Sequence, residues 1–296
     1  MYICTVFEII NMKKLLAFVV FVMVALSFTT CNKVEEPFYV IPTVEDVTVN
    51  FPDLDPGKVY RKILIEEFTG HQCQNCPVGH RTLEELHNLY GDTIVAVGIH
   101  YGSLADVDTT VFTYDFRTVA GNLVGQAYLI DGIPAAIFNR NYKEGGWFRN
   151  KWMAKVSEID RSIIPAAIQL INEYDEANKT VKANVKVTML QEYSGALRLG
   201  IYLVEDGIVK PQIDGNQTIL EYVHNHVLRG AFTDPFGAIL DNGKDSWSAG
   251  DTELYAATLD FQGKDWDMNN CYVVAFLVDP TNSDVLQVEK LDVISR

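Results

Sequence analysis

Cysteine, positive charge and long apolar runs are all scarce in this chain of 296 residues. Five cysteines are too few to build a disulfide scaffold. The 24 Lys and Arg stand against 39 Asp and Glu, and a net charge of -15 argues against a nucleic-acid-binding surface. Apolar residues make up 48% of the chain, which is enough to form a hydrophobic core. The length suits one large domain or two of ordinary size.

The apolar run from Leu15 to Phe28 is shorter than the roughly 20 residues of a membrane-spanning helix. Lys13 and Lys14 precede the run and Cys31 follows it. A basic start, a short apolar run and a small-residue exit predict a signal peptide over residues 1–31. Cys31 stands where bacterial lipoproteins are cleaved and acylated, which predicts a lipid anchor. The alternative is a plain secretory signal with an unpaired Cys31.

The next residues change in character from a tether to an alternation of strands and helices. Prolines recur through residues 32–57 and oppose both helix and central strand, so this stretch is predicted to be a tether. Strand-like runs then begin at Ile63, Thr93 and Ala135, and helical patterns separate them, the first opened by Pro77. This alternation predicts an α/β domain over residues 58–163.

A Cys-x-x-Cys motif lies at the first junction of strand and helix. The spacing places Cys73 in the loop and Cys76 inside the helix, whose N-terminus favours the thiolate form of Cys73. Cys76 lies on the same helix face and can close the disulfide after Cys73 attacks. A redox pair is therefore expected. The alternatives are an inert structural disulfide and a zinc site with His71 and His80, for which no second Cys-x-x-Cys exists.

Two further positions resemble those of thioredoxin-like proteins. Ile133-Pro134 precedes a strand, and the resemblance implies a cis peptide bond that faces the cysteine pair. Glu67, six residues before Cys73, stands where such proteins place a buried acid that handles the proton of the second cysteine. The alternative for Glu67 is a solvent-facing acid, since Glu66 and Glu67 must point to opposite faces. Gln72 and the dipeptide Gln74-Asn75 depart from the familiar pattern, which leaves the substrate open.

The pattern becomes purely β after residue 163. Residues Val181 to Met189 alternate between apolar and polar, Leu197 to Leu203 repeat the period of two, and turn signals separate about seven strands. This predicts an all-β, immunoglobulin-like sandwich over residues 164–296. Cys271 is expected to be a small core residue. His224 and His226 are expected to share one strand face, and without an obvious third ligand no metal site is predicted.

These features together resemble one family. The lipoprotein-like start, Glu67 to Gly70 running into Cys73 to Pro77, the Ile133-Pro134 strand and the segment Tyr222 to Arg229 resemble the Omp28-related outer membrane proteins of Bacteroidetes. The resemblance implies an outer membrane lipoprotein, facing the periplasm or the cell surface, with a thioredoxin-like domain before a β-domain. Members are loosely described as surface proteins or adhesins.

Two functions remain in competition. The first is a membrane-tethered thiol–disulfide oxidoreductase that acts on thiols or disulfides of envelope proteins, without a cofactor. In it Cys73 attacks, Cys76 resolves, Pro134 shapes the substrate groove and Glu67 moves the proton. The second is a surface binding or adhesion module in which the cysteine pair is structural.

Overall fold

A computed structural model describes residues 45–294, which lie within one compact unit of residues 41–296. The predicted signal peptide, with Cys31, lies outside the described residues. Of the predicted tether, residues 45–57 are described, and they run along the surface of a sheet. Glu45 pairs with Ala256, and Lys182 contacts both Glu45 and the carbonyl oxygen of Asp46.

Three α-helices occur among the described residues: α1 Cys76–Tyr90, α2 Val119–Ala127 and α3 Trp152–Glu158. Pro77 stands in the first turn of α1, where the missing N–H of proline carries no penalty. Leu83 and Leu86 of α1 are buried, as are Trp152 and Val156 of α3, whereas Leu89, at the same helical spacing in α1, is 65% exposed. The buried side chains of both helices pack into the same core.

The strands of the first part of the chain are β1 Ile63–Thr69, β2 Ile94–His100, β3 Ala135–Phe138 and β4 Trp147–Phe148. The strands of the second part are β5 Ala166–Asp175, β6 Thr180–Met189, β7 Tyr193–Ser194, β8 Arg198–Glu205, β9 Ile208–Asp214, β10 Gln217–His224, β11 Val227–Ala231, β12 Ala238–Ile239, β13 Ser246–Trp247, β14 Thr252–Asp260, β15 Cys271–Val278 and β16 Val285–Asp292. The boundary predicted between residues 163 and 164 falls in the connection between α3 and β5 and stays a prediction.

One mixed sheet joins both parts of the chain. Its nine strands follow the order β16-β15-β8-β11-β2-β1-β3-β4, with β12 also beside β8. β1 and β2 are parallel, and β11 extends this parallel group through the pairing of Val227 with Gly98. β8 then pairs antiparallel with both β11 and β15. The strands that follow residue 163 therefore complete a sheet that the earlier strands begin.

Three apolar cores cover the faces of this sheet. One face of β8 and β15 packs against the three-stranded sheet β14-β6-β5, which gives two β-layers. The other face shares a core with β1, β2 and α2, where Phe68 and Val97 meet Tyr202 and Phe276. The opposite face of β1 and β2 is covered by α1 and α3.

The expected fold class, an α/β thioredoxin-like domain followed by an all-β immunoglobulin-like sandwich, is wrong. The described residues are mostly β-structure in mixed sheets, with only the three helices named above. Strands and helices do alternate in the first part of the chain, as predicted. However, β11 of the second part pairs with β2 of the first, and residues of both parts share one core. Such a non-local pairing leaves no signal in local periodicity, which reports only which face of a strand is buried.

Candidate functional site

The cysteine pair lies at the junction of β1 and α1. β1 ends at Thr69, and α1 begins at Cys76. Cys73 therefore sits in the connecting loop and Cys76 at the first helical position, as the spacing predicts. The two residues form a disulfide, with their Cα atoms 5.4 Å apart, a separation within the ordinary range for this bond. Both are buried: 3% of Cys73 and 0% of Cys76 are exposed.

The sulfur of Cys73 faces the loop that leads into β3. Its Sγ lies 3.8 Å from the carbonyl oxygen of Ile133, and the Ile133–Pro134 peptide bond is cis. Pro134 also lines an open groove together with Val78 and Phe148. The polar residues of the same groove are Asn75, Arg149 and Asn150. Pro134 is thus adjacent to both the disulfide and a surface depression of mixed polarity.

Glu66 and Glu67 point to opposite faces of β1, and both are buried. The alternative of a solvent-facing acid at Glu67 does not hold, because helices cover one face of β1 and a β-core covers the other. Glu66 forms a bidentate pair with Arg140 at 2.7 and 2.9 Å. Arg140 also receives cation–π contact from Phe276. This buried ion pair links the first part of the chain to β15.

Glu67 lies beneath the first turns of α1 and has no such cation. Its Oε1 is buried without a hydrogen-bond partner, and burial raises the pKa of this carboxyl well above its ordinary value. A Cβ at Gly79 would lie 2.7 Å from this oxygen and 3.2 Å from Cβ of Pro134. Gly79 follows Cys76 by three residues and so shares its helix face. Glycine at this position lets α1 approach the acid and the proline together.

His80 connects Glu67 to a distant part of the chain. Its Nε2 lies 2.9 Å from Oγ1 of Thr69 and 3.8 Å from Oε1 of Glu67. Its Nδ1 lies 2.7 Å from the hydroxyl of Tyr222 on β10. Burial lowers the pKa of His80 to about 3, so the ring is neutral at physiological pH.

Three more histidines form a buried aromatic cluster near the cysteine loop. His100 stacks on Phe116 with ring centroids 4.3 Å apart, and His224 contacts the same ring at 4.6 Å. His71 stacks on Phe112 at 5.1 Å. Burial lowers the pKa of all three, that of His224 to about 4. Sequence reasoning missed this cluster, because its members come from separate segments.

His224 and His226 do not share a strand face, so this expectation is wrong. β10 ends at His224, and His226 adopts a positive φ of 60° before β11 begins. The ring of His226 instead lies 2.9 Å from the hydroxyl of Tyr272. Within residues 45–294, no group of three or more His, Cys, Asp or Glu is arranged to hold a metal ion. Cys271 is buried and unpaired in the β-core.

The β9–β10 hairpin holds the cysteine loop from the outside. The N–H of Ile213 donates to the carbonyl oxygen of His71, and the N–H of Gly215 donates to that of Gln74, both at 2.9 Å. The buried side chain of Gln212 donates to the carbonyl oxygens of Cys73 at 3.1 Å and Gly70 at 3.3 Å. The hairpin therefore fixes the backbone of the loop, while Sγ of Cys73 faces the carbonyl oxygen of Ile133.

The described residues thus define a β-rich protein with a buried disulfide at the start of a helix, and the family follows from the sequence comparison. Residues 122–295 match the family model of outer membrane protein Omp28. The match covers more than half of the chain, and the chain belongs to this family. The family predicted from the motifs is confirmed, and so is the outer-membrane lipoprotein localisation that it implies.

Among solved structures similar to this chain, that of HBP35 shows a related fold. HBP35 of Porphyromonas gingivalis is 18% identical, with a TM-score of 0.60 over 79% of this chain and 75% of that chain. A domain of the outer membrane lipoprotein Omp28 from the same organism is 23% identical, covering 46% of this chain and 93% of that chain, with a TM-score of 0.28. At these identities the likeness to HBP35 concerns the fold alone. No curated protein matches the sequence. In residues 45–294, no helix has the length and apolarity needed to span a membrane.

Proposed function

We propose that this outer membrane protein exchanges disulfides with envelope proteins through the Cys73–Cys76 pair. The observation that carries the proposal is the placement of the disulfide at the first turn of α1, where Sγ of Cys73 faces the Ile133–Pro134 loop beside an open groove. A helix N-terminus stabilises a thiolate. Glu67, on the face of β1 beneath α1, adds a buried acid with a raised pKa.

The exchange transfers two electrons from a substrate dithiol to the pair. A substrate thiolate attacks Sγ of Cys73, so that a mixed disulfide forms and the Cys73–Cys76 bond breaks. Cys76 leaves as a thiolate and takes a proton, for which Glu67 is the proposed donor. A second substrate thiolate then attacks the mixed disulfide. The products are a substrate disulfide and reduced Cys73, and another disulfide reoxidises the pair.

Substrate is proposed to approach from the groove. The hairpin holds the opposite side of the cysteine loop through the bonds of Gln212, Ile213 and Gly215. Phe148 is largely exposed in the groove and offers apolar contact next to Pro134. Because only 3% of Cys73 is accessible, attack requires a substrate segment that fits the groove closely.

The reduction potential of the pair tests this function. We would equilibrate the full-length protein with glutathione buffers and quantify the free thiols of Cys73 and Cys76. A potential above about -270 mV supports exchange, and one below about -300 mV indicates a structural disulfide and overturns the proposal. Cys73→Ser should abolish turnover of a dithiol substrate. Cys271→Ser is the matched control, since Cys271 is unpaired and far from α1 in sequence and core.

A surface binding module is the second candidate. The near-complete burial of both cysteines favours it, as do the exposed apolar side chains of the β9–β10 hairpin, Val209, Leu220 and Val223. Exposed apolar side chains grouped on one element are typical of interaction surfaces. A reduction potential below about -300 mV, together with a retained fold in Cys73→Ser, would favour this binding function over disulfide exchange.

A further inference from the structure

His80 is the meeting point of three chain segments beside the disulfide. Thr69 and Glu67 come from β1, His80 from α1 and Tyr222 from β10. Nε2 of His80 faces the two β1 side chains at 2.9 and 3.8 Å, and Nδ1 faces the Tyr222 hydroxyl at 2.7 Å. Both ring nitrogens are therefore next to groups that exchange protons.

The buried Glu67 carboxyl can exchange its proton with solvent only through a neighbouring group that itself exchanges protons. Only 2% of the residue is exposed, and Oε1 has no hydrogen-bond partner. The helix above it approaches closely at Gly79, with the Trp152 ring alongside. Tyr222, by contrast, is only partly buried and lies on the hairpin near the molecular surface.

We infer that His80 is a positioning residue that passes protons between the Tyr222 hydroxyl and the Glu67 carboxyl. In the tautomer that the relay requires, the Tyr222 O–H donates to Nδ1, and Nε2–H points toward Thr69 and Glu67. An imidazole that gains a proton at one nitrogen and loses one at the other returns to a neutral ring. This inference rests on the proposed function for its use in exchange.

The proton balance follows the release of Cys76. The O–H bond of Glu67 breaks and an S–H bond forms at Cys76. The Glu67 carboxylate then takes the Nε2 proton of His80, while Nδ1 takes the proton of Tyr222 and water reprotonates the phenol. The net change is one proton moved from solvent to Cys76, with His80 left as the Nδ1–H tautomer. When Cys76 gives up its proton on reoxidation, the reverse transfers restore the Nε2–H tautomer.

The charges around His80 favour this neutral route. Desolvation, His224, His226 and Arg81 all oppose a positive ring, and Asp214 is the one neighbouring acid on the hairpin that favours it. Asp214 is itself paired with Arg81 at 3.0 Å. The ring is therefore suited to shift between tautomers and not to hold an imidazolium.

Infrared spectroscopy of the oxidised full-length protein tests the relay without thiol chemistry. The carbonyl stretch of protonated Glu67, assigned by its loss in Glu67→Gln, reports deuterium uptake after transfer to heavy water. His80→Gln keeps a hydrogen-bonding amide that cannot relay protons, and Tyr222→Phe removes the hydroxyl. His87→Gln, on the same helix, is the control. We expect uptake to slow by about 100-fold in the first two variants and to stay unchanged in the control.

Wild-type uptake rates in both His80→Gln and Tyr222→Phe would overturn the relay, and so would the absence of a protonated Glu67 band. If His80→Gln loses its circular dichroism signal, Tyr222→Phe decides alone. Failure of the proposed function looks different: the thiol pair would then behave as a structural disulfide while the Glu67 band still responds to both variants. If disulfide exchange is intact and the deuterium uptake of the Glu67 band is the same in both variants as in wild type, the relay alone is overturned.

Discussion

Two neighbouring carboxyls on β1 have opposite environments. Glu66 meets the guanidinium of Arg140 in a buried ion pair. Glu67, one residue on, meets no cation and has an unpartnered oxygen. An uncompensated buried acid destabilises its charged form, so Glu67 holds its proton where an exposed glutamate would lose it. A residue that lowers stability in this way is characteristic of a functional position.

The pH dependence of the unfolding free energy distinguishes the buried Glu67 from an exposed acid. Because the pKa of Glu67 is raised in the folded state, its favourable contribution is complete below the ordinary value of 4.5 and is lost as pH rises. We therefore expect Glu67→Gln to gain stability relative to wild type with increasing pH, by at most about 1.4 kcal/mol per pH unit. Urea unfolding at a series of pH values measures the difference. Glu84→Gln, exposed on α1, should show no such trend, and a pH-independent difference for Glu67→Gln would contradict the assignment.

At the scale of elements, the β9–β10 hairpin determines how the cysteine loop is held. It lies about 140 residues beyond that loop in the chain, and it donates to four carbonyl oxygens of the loop, those of Gly70, His71, Cys73 and Gln74. Gln212 is the central contact, because one buried amide serves two carbonyls of the loop. Both carbonyls also accept a backbone N–H, that of Cys73 at Gly70 and that of Cys76 at Cys73, so loss of the amide removes two ordinary hydrogen bonds of about 0.5–1.5 kcal/mol each.

Removal of this amide should loosen the loop before it unfolds the protein. For Gln212→Ala we expect a loss of about 1–3 kcal/mol in unfolding free energy, together with faster amide hydrogen exchange at Gln72, Cys73 and Cys76. Mass spectrometry of peptides that span the loop measures the exchange. Gln217→Ala, at the exposed turn of the same hairpin, is the matched control. Equal protection of the loop in both variants would show that the hairpin does not hold it.

Local patterns predicted individual elements well. Pro77 marked the start of α1, the period of two in Val181 to Met189 marked β6, and the Cys-x-x-Cys spacing placed both cysteines. The site was predicted only in part. Its histidines and Tyr222 come from four segments, and a residue's neighbours across such distances depend on strand order, which periodicity does not encode.

At the scale of the whole molecule, the two parts of the chain share one sheet and one core. The pairing of β2 with β11 and the packing of Phe68 against residues of β8 and β15 cross the predicted domain boundary. This core takes residues from three strands before residue 163 and four after it: β1, β2, β3, β8, β11, β15 and β16. The strands of the two parts thus depend on each other for burial. This is why strand and helix alternation predicted the first elements correctly and their fold class wrongly.

A chain that ends at residue 163 tests this dependence. It would leave the face of β1 and β2 that carries Phe68 and Val97 without its partners Tyr202 and Phe276. We expect such a chain to lack cooperative thermal unfolding and to bind a hydrophobic dye, as partly packed states do. Calorimetry measures the unfolding transition and dye fluorescence measures the binding, each alongside the full-length protein. A sharp transition in the shortened chain would support two independent domains.

The position of β15 and β16 at one end of the nine-stranded sheet has a consequence for the timing of assembly. These strands follow all the other strands of that sheet in the chain, so the sheet cannot be completed until β16 has been synthesised. Non-local pairings of this kind form slowly and leave strand edges exposed in the meantime. The face of β1 and β2 that carries Phe68 and Val97 therefore stays uncovered until those strands dock, and an incompletely assembled chain is prone to aggregation before it reaches the outer membrane.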